Sequence, residues 1–203
     1  MFSPTDKQGF ITRGFKFLSW MRRFFFAAGA IAVAYVALTL LGAKLYQKEA
    51  SEILDRQIHA EDAHPALAAR APNREGDVLG RLEIPRINLS LVILQGTSAQ
   101  TLLLGAGHIT GTALPGEPGN VGIAGHRDTY FRDLKDIQKD DEINLQTASG
   151  ISRYRVDWIQ ITAPRDVAIL DGRAGSSLTL VTCYPFHFIG AAPERYVVHA
   201  RGE

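Results

Sequence analysis

Two apolar segments of this 203-residue chain each end at a residue that can take part in covalent catalysis. The segment NVGIAGHRDT reaches His126, and the segment LTLVTCYP reaches Cys183 just before Pro185 ends its pattern. Side chains at strand ends project beyond a sheet, where a substrate can reach them. A thiolate and an imidazolium stabilise each other's charged forms, so a cysteine beside a histidine becomes a nucleophile. We therefore predict that Cys183 attacks the substrate and that His126 is its acid/base partner.

Arg195 is the third candidate, because it opens the last apolar segment, RYVVHARG, twelve residues after Cys183. The intervening loop contains FIGAAPE and is long enough to return the chain beside the cysteine strand. A guanidinium presents a rigid fork of donors, which can orient a peptide carbonyl and stabilise the oxyanion that forms during attack. An arginine that starts a strand is ordinarily only solvated. The predicted role thus depends on Arg195 lying next to Cys183.

The other histidines offer weaker alternatives. His187 shares the loop that follows Cys183, where the two side chains meet poorly, so it ranks behind His126 as the partner. His199 alternates within a terminal strand and is predicted to be structural. A zinc hydrolase that uses His108, His126 and Cys183 would be supported by a His-x-x-x-His pair or an acidic base at metal spacing, and the sequence has neither. We predict no metal site and no cofactor.

Composition narrows the classes of function. Lys and Arg number 22 against 21 Asp and Glu, so no strong basic field exists to attract nucleic acid. The single cysteine excludes an intrachain disulfide and any zinc site that needs two thiolates. The length and a hydrophobic content of 46% suit one domain plus a membrane anchor. Asp128, Asp133 and Asp136 cluster after His126 and leave calcium binding open as an alternative to simple solvation.

The elements that must position these residues are short and extended. Between residues 76 and 203 the apolar segments are rich in β-branched residues and separated by Gly/Pro turns, namely GRLEI, LSLVIL, NVGIAG, DEINLQT, SRYRVDWIQIT, SLTLVTC and RYVVHA. This pattern predicts an all-β domain, either a barrel or a sandwich. Two brief helices are expected at Ala99–Leu104 and Tyr130–Ile137. The stretch from Gly105 to Gly119 is rich in glycine and proline and is predicted to be an ordered loop.

The N-terminal part of the chain predicts a membrane anchor. Residues 24–43, FFFAAGAIAVAYVALTLLGA, carry no charge and are long enough to cross a hydrocarbon core as a helix. The run exceeds the apolar region of about 7–15 residues in a signal peptide, and no clear cleavage site follows, which favours an uncleaved span. Residues 1–23 are basic, and the positive-inside rule places them in the cytoplasm. We expect a single-pass protein of the plasma (inner) membrane with an extracytoplasmic domain.

Residues 44–75 separate the predicted span from the predicted domain. Residues 44–61 place apolar side chains at helical intervals among alternating charges, as an amphipathic continuation of the membrane helix would. Residues 62–75, DAHPALAARAPNRE, have no apolar period and suit a surface linker. We expect this stalk and linker to contribute nothing to the catalytic site.

Taken together, the motifs resemble those of the sortases. The box TLVTC ends at Cys183, the motif AGHRD contains His126, and Arg195 follows, so the three residues stand in the order of that family. The flanks GTALPGEPGNVGIAGHRDTYFRDL and LTLVTCYPFHFIGAAPERYVV look most like the class D branch. The resemblance covers roughly residues 80–201, and agreement across several boxes is far more specific than a single motif.

This resemblance implies an eight-stranded β-barrel whose groove binds a sorting signal of the Leu-Pro-x-Thr-Gly type. It also implies that Cys183 forms a thioacyl intermediate, which an amine acceptor of the cell envelope then resolves. The implied partners are proteins with a C-terminal sorting signal, that amine, and the lipid bilayer around residues 24–43. Thr182, the backbone at Tyr184 and, in the loop GAGHITG, His108 are further candidates for substrate or oxyanion contacts. For His108 a hydrogen bond within its turn is the alternative role, and the one that we favour.

Two competing functions stay open at this point. A cysteine endopeptidase that only hydrolyses would use the same nucleophile, although papain-like enzymes place the cysteine before the histidine and this chain has the reverse order. A membrane-tethered barrel that binds peptides without catalysis would have no reason to keep an activated thiolate.

Overall fold

The computed structural model describes residues 5–61, 74–171 and 175–203. Helix α1 spans Thr5–Glu61. It contains an 18-residue window with a mean hydropathy of 2.3, none of it buried, so α1 is long and apolar enough to cross a membrane. The chain divides into two compact units, of which the first ends at Gly42 and the second begins at Ala43.

The second unit is a β-barrel. Within its described residues, the strands are β1 (Val78–Ile84), β2 (Leu89–Gln95), β3 (Ala106–His108), β4 (Asn120–Ala124), β5 (Glu142–Thr147), β6 (Gly150–Thr162), β7 (Ser177–Tyr184) and β8 (Glu194–Gly202). They close in the order β1-β2-β3-β4-β7-β8-β6-β5. Most neighbours are antiparallel, whereas β2 with β3 and β4 with β7 are parallel pairs. The all-β prediction and the eight-stranded barrel that the resemblance implied are confirmed.

Apolar side chains on alternate strand positions fill the barrel. The fully buried core includes Leu82, Ile93, Ile123, Leu145, Val156, Leu180 and Val198. In β7, Leu178 and Leu180 belong to this core. Because successive side chains of a strand point to opposite faces, Thr182 continues the inner row and Cys183 lies on the outer face. The strand thus carries its thiol outside the core.

The expected loop from Gly105 to Gly119 contains the one strand that the seven apolar segments missed. β3 consists of Ala106, Gly107 and His108, and it pairs with β2 on one side and β4 on the other. A strand of three residues with a central glycine is too short to show the alternation of apolar and polar side chains that identifies a strand from sequence. Gly107 fits here because a Cβ would lie 2.2 Å from the carbonyl oxygen of Gly96. Barrel closure therefore depends on a segment that looks like a loop.

The short helices lie where the sequence predicted them. Helix α2 spans Ala99–Leu104, and the side chain of Ser98 caps it by accepting a hydrogen bond from the Thr101 N–H. The segment expected to be helical at Tyr130–Ile137 forms a single 3-10 helix over Arg132–Asp136. It begins six residues after His126 and leads into β5.

The first turns of the predicted stalk are part of the barrel unit. In α1, Ala50 is 3% exposed and Leu54 is 1% exposed. Ala50 forms a small core with Val92 and Leu94 on the barrel surface. The side-chain oxygen of Gln47 accepts a hydrogen bond of 2.9 Å from the Val92 N–H. The helical period expected over residues 44–61 therefore reflects packing on the barrel. The linker expected over residues 62–75 lies largely outside the described residues.

Candidate active site

Cys183 and Arg195 lie directly opposite each other on neighbouring strands. They are partners in the antiparallel register of β7 and β8. Such partners have Cα atoms about 4.5–5.5 Å apart, and their side chains leave the sheet on the same face. Both residues are half-buried. The two residues named from sequence are thus brought together at one end of the barrel.

His126 reaches the same end of the barrel from the other side of β7. Strands β4 and β7 are parallel, with Ala124 opposite Val181. The pairing extends past the strand end, since the Gly125 N–H donates to the Val181 carbonyl at 3.1 Å. His126 follows Gly125 and is exposed to solvent. The order β4-β7-β8 therefore places His126, Cys183 and Arg195 at the same edge of three adjacent strands.

Gly125 is required by the packing beneath His126. A Cβ at this position would lie 2.7 Å from a ring carbon of Phe131. Phe131 is fully buried, and its N–H donates to the carbonyl of His126 at 2.9 Å. The backbone of His126 is consequently held against the core, while its imidazole is exposed to solvent.

The guanidinium of Arg195 bonds to the loop that joins β7 to β8. Its Nη1 donates to the carbonyl oxygens of Glu194 at 2.9 Å and Ala192 at 3.3 Å. Among the described residues, its Nε and Nη2 have no protein acceptor. Part of the donor fork is engaged with the backbone, and the rest is available to a carbonyl oxygen that develops negative charge.

An aromatic cluster supports the strand ends next to the proposed catalytic pair. Tyr184 stacks on Tyr196 with ring centroids 6.1 Å apart, and Phe186 meets Tyr196 edge-on at 5.1 Å. Burial raises the pKa of Tyr196, and the nearby Tyr184 and Asp136 add to this effect. Tyr196 is therefore a neutral packing group at neutral pH. The ring of Tyr184, named from sequence for its backbone, belongs to this cluster.

Thr182 and His108 are both buried. The Thr182 hydroxyl donates to the Gly125 carbonyl at 2.7 Å. His108 is 2% exposed, and its ring nitrogens lie 3.0 Å from Gln95 Oε1 and 2.9 Å from the Ala113 carbonyl. Burial lowers the pKa of His108, and hydrogen bonds to the loop backbone only partly offset this. With both nitrogens engaged, His108 fixes the loop between β3 and β4 from within.

The remaining histidines have different surroundings. His187 is exposed on the loop after β7. His199 is buried in β8, where its Nδ1 lies 2.7 Å from Asp157 Oδ1 and its ring stacks on Trp158 at 4.9 Å. These contacts give His199 a packing role, in keeping with the alternation of its strand.

Among the described residues, no group of three or more His, Cys, Asp or Glu side chains could hold a metal ion. Two of the aspartates considered for calcium are paired with Lys135, whose Nζ lies 3.3 Å from Asp136 and 3.7 Å from Asp133. Both carboxylates are more than half exposed.

Arg127 makes polar contacts near the site that the sequence analysis did not predict. It stands next to His126 in the AGHRD motif, which is the only signal the sequence offers for it. Its Nη2 donates to the carbonyl oxygens of Phe188 at 2.6 Å and Gly190 at 3.0 Å. It therefore connects the segment of His126 to the loop between β7 and β8.

Comparison with known proteins assigns the chain to a family. Residues 82–203 match the sortase domain. Sortase D of Bacillus subtilis (strain 168) is 34% identical over 164 residues, which cover 80% of this chain and 82% of that protein. Sortase A of Bacillus anthracis is 27% identical over 157 residues, which cover 75% of this chain and 72% of that protein.

Solved structures agree with the sequence comparison. The sortase D5 transpeptidase of Clostridium perfringens superposes with a TM-score of 0.67 at 29% identity, covering 78% of this chain and 98% of that one. Sortase C of Clostridium perfringens, with the C-terminal cell wall sorting motif, gives a TM-score of 0.59 at 28% identity, covering 77% and 90%. The class D resemblance is supported by a relative and a structure of that type.

Proposed function

This chain belongs to the sortase family, whose members are cysteine transpeptidases, and we propose that it joins proteins with a Leu-Pro-x-Thr-Gly-like sorting signal to an amine of the cell envelope. The observation that carries this proposal is the shared edge of β4, β7 and β8. There Cys183 faces Arg195 in register, and the Thr182–Gly125 bond links the cysteine strand to the histidine segment. The sorting motif in the sortase C structure supports the choice of substrate class.

In the first half of the proposed reaction, the Cys183 thiolate attacks the carbonyl carbon of the threonine in the signal. A C–S bond forms, and the carbonyl oxygen takes up negative charge, which the free donors of Arg195 stabilise. The C–N bond to the following residue then breaks. His126, in its protonated form, gives its proton to the departing amine. The product is a thioester between Cys183 and the N-terminal part of the substrate.

In the second half, an amine attacks the thioester carbon. A new C–N bond forms and the C–S bond breaks, which returns Cys183 to the thiolate. The attacking nitrogen loses a proton to His126, which is neutral after the first half and is thereby recharged for the next cycle. Atoms and charge balance over the cycle without an external oxidant or cofactor. Water in place of the amine would give hydrolysis.

The proposed setting is the outer surface of the plasma membrane. Residues 24–43 would cross the bilayer as part of α1, with residues 1–23 in the cytoplasm and residues 76–203 as the extracytoplasmic catalytic domain. The excess of Lys and Arg before the span supports this orientation through the positive-inside rule. The anchor would keep the enzyme beside its secreted substrates.

The test is to trap the thioester. The full chain in detergent is incubated with Leu-Pro-x-Thr-Gly peptides, and the reaction is quenched in acid. The protein is then digested, and the mass of the peptide that contains Cys183 is measured by mass spectrometry. We expect an added mass equal to the N-terminal part of the substrate, and a ligated product when triglycine is present. Cys183→Ala should form neither, because the nucleophile is absent and only a small volume is lost.

Two further outcomes separate the alternatives. Peptide cleavage with no ligated product at any triglycine concentration would indicate a hydrolytic endopeptidase. Peptide binding without any mass on Cys183 would indicate a binding barrel. His126→Ala and His187→Ala are compared in the same assay. Loss of acylation in the His187 variant alone would show that His187, and not His126, is the acid/base partner.

A further inference from the structure

The side chain of Arg127 makes several contacts with the loop between β7 and β8. Its Nη2 donates to two carbonyl oxygens of that loop, Phe188 at 2.6 Å and Gly190 at 3.0 Å. Its guanidinium carbon lies 5.9 Å from the centre of the Phe188 ring, a cation–π arrangement. One planar group therefore contacts the loop by two hydrogen bonds and a ring face.

The β7–β8 loop comprises residues 185–193 and connects the strands of Cys183 and Arg195. It leaves the strand two residues after Cys183 and returns to the barrel two residues before Arg195. Among the described residues, its only hydrogen bond between two backbone groups runs from the Phe188 N–H to the Pro185 carbonyl at 3.3 Å, and Arg195 Nη1 donates to the Ala192 carbonyl at 3.3 Å. At its tip, Ile189 is 97% exposed and packs on nothing. Phe186 packs on Tyr196 and Arg195 bonds to Ala192, so the tip around Phe188 to Gly190 is the part of the loop with few contacts of its own.

Arg127 is itself attached to a fixed part of the barrel. It follows His126, whose carbonyl accepts the Phe131 N–H, and Phe131 is fully buried. Gly125, one residue earlier, packs too closely on the Phe131 ring to allow a side chain. The arginine consequently ties the tip of the loop to the segment that carries His126.

We propose that Arg127 is a positioning residue, which holds the loop between Cys183 and Arg195 against the His126 segment and thereby sets the geometry of all three. This proposal rests on the proposed function of that site. Its distinctive requirement is a planar guanidinium, because a lysine ammonium is a compact point charge on a flexible stem and does not combine two carbonyl contacts with stacking on a ring. Arg127→Lys should therefore resemble Arg127→Ala.

The experiment uses the full chain in detergent and measures three quantities for Arg127→Ala and Arg127→Lys. The first two are kcat and KM for peptide acylation, and the third is the rate of Cys183 alkylation by iodoacetamide between pH 5 and 9. We expect kcat to fall about 10- to 100-fold with little change in KM, since small displacements of reacting groups cost this much. The alkylation profile should shift toward that of His126→Ala. Hydrogen exchange of residues 186–193 should also rise.

The control is Arg132→Ala, an exposed arginine on the following 3-10 helix whose side chain makes no hydrogen bond among the described residues. It should leave all three quantities unchanged. Native kcat in both Arg127 variants overturns the proposal. So does a higher KM with a native alkylation profile, because the buried Nη1, which has no acceptor among the described residues, would then be a substrate contact instead. Alkylation of Cys183 needs no peptide, so it tests the positioning role of Arg127 even if the proposed peptide substrate is wrong.

Discussion

The hydroxyl of Thr182 donates a hydrogen bond of 2.7 Å to the carbonyl oxygen of Gly125, joining the residue before Cys183 to the residue before His126. Thr182 is 2% exposed, so the bond lies inside the barrel, beneath the edge that carries the proposed catalytic residues. Strands β4 and β7 run parallel here, and this side-chain bond continues their pairing past the end of the backbone ladder. We infer that Thr182 aligns the nucleophile with its acid/base partner from below.

Thr182→Val should test this alignment, because valine keeps the shape and removes the donor. The buried Gly125 carbonyl would lose a partner, at a cost of about 1–3 kcal/mol in the free energy of unfolding. We also expect kcat for acylation to fall by about 10-fold or more, since the reacting groups lose their register. Thr182→Ser retains the donor and should keep most of the activity. Chemical denaturation and steady-state kinetics measure the two effects.

Thr179→Val is the matched control for Thr182→Val. Thr179 lies in the same strand, is fully buried, and donates to Asn120 Oδ1 at 2.9 Å, but it is four residues before Cys183 and away from the proposed catalytic residues. It should retain kcat and lose less stability, because Asn120 Oδ1 keeps a hydrogen bond of 3.2 Å from Ser177 Oγ. An equal loss of kcat in both variants would mean that the barrel as a whole, rather than the Thr182–Gly125 bond, is what the mutations disturb.

Removal of residues 1–42 should be better tolerated than removal of residues 1–73. The longer deletion strips Gln47, Ala50 and Leu54 from the barrel, exposes Val92 and Leu94, and leaves the Val92 N–H without its acceptor. We expect the fragment 43–203 to be more stable than the fragment 74–203 by about 2–4 kcal/mol in the free energy of unfolding, chiefly from buried apolar area. Denaturant titration of the two fragments measures this difference.

Point variants in the fragment 43–203 separate helix packing from chain length. Leu54→Ala should cost about 2–5 kcal/mol, because Leu54 is almost fully buried. The neighbouring Ile53 is 40% exposed, and Ile53→Ala should cost much less. Equal stability of the two variants would show that the helix does not rest on the barrel through this face.

Acid should weaken the attachment of the 3-10 turn Pro85–Ile87 to the segment before β5. Asp141 Oδ2 accepts hydrogen bonds of 2.7 Å from Arg86 Nη2 and from the Gln138 N–H. Burial raises the pKa of Asp141, but these bonds and the charge of Arg86 outweigh it, and the pKa lies below its ordinary value. Stability from a lowered carboxyl pKa is present at neutral pH and is lost as pH falls below about 4.

The measurement is the difference in free energy of unfolding between the native chain and Asp141→Asn at several pH values. The native chain should be the more stable at pH 7, and the gap should narrow steadily below about pH 4 as Asp141 takes up its proton. Asp166→Asn, which alters an exposed carboxylate without an ion pair among the described residues, should leave stability nearly unchanged throughout. A gap that stays constant down to pH 2 would contradict the role of the Asp141 charge.

Local signals predicted most of the fold and the identities of the proposed catalytic residues. Alternating β-branched segments indicated seven strands, and residue types at two strand ends indicated Cys183 and His126. Short β3 was missed because its three residues carry no period. The Thr182–Gly125 bond was missed for another reason, since it joins residues 57 positions apart and depends on the register of β4 against β7. The same holds for Arg127 and its loop, and for Gln47 and β2.

The role of Arg195 can be decided because shape and charge make different predictions for it. Its Nη1 is engaged by the carbonyl oxygens of Glu194 and Ala192, and its other donors face no protein acceptor among the described residues. Lysine keeps the charge but cannot hold the loop and present further donors from one rigid plane. If Arg195 stabilises the oxyanion, Arg195→Lys should lower kcat by about 10²-fold or more with little change in KM.

The same variant should leave the rate of Cys183 alkylation by a small reagent nearly unchanged, because that reaction forms no oxyanion. Arg201→Lys, which changes the other arginine of β8 at the far end of the strand, serves as the control and should keep native kinetics. If Arg195 is only structural, Arg195→Lys should retain native kcat. Arg195→Ala should then lower the melting temperature of the protein. Steady-state kinetics and thermal melts of these variants distinguish the two cases, and native kcat in the lysine form would reduce the proposed catalytic set to Cys183 and His126.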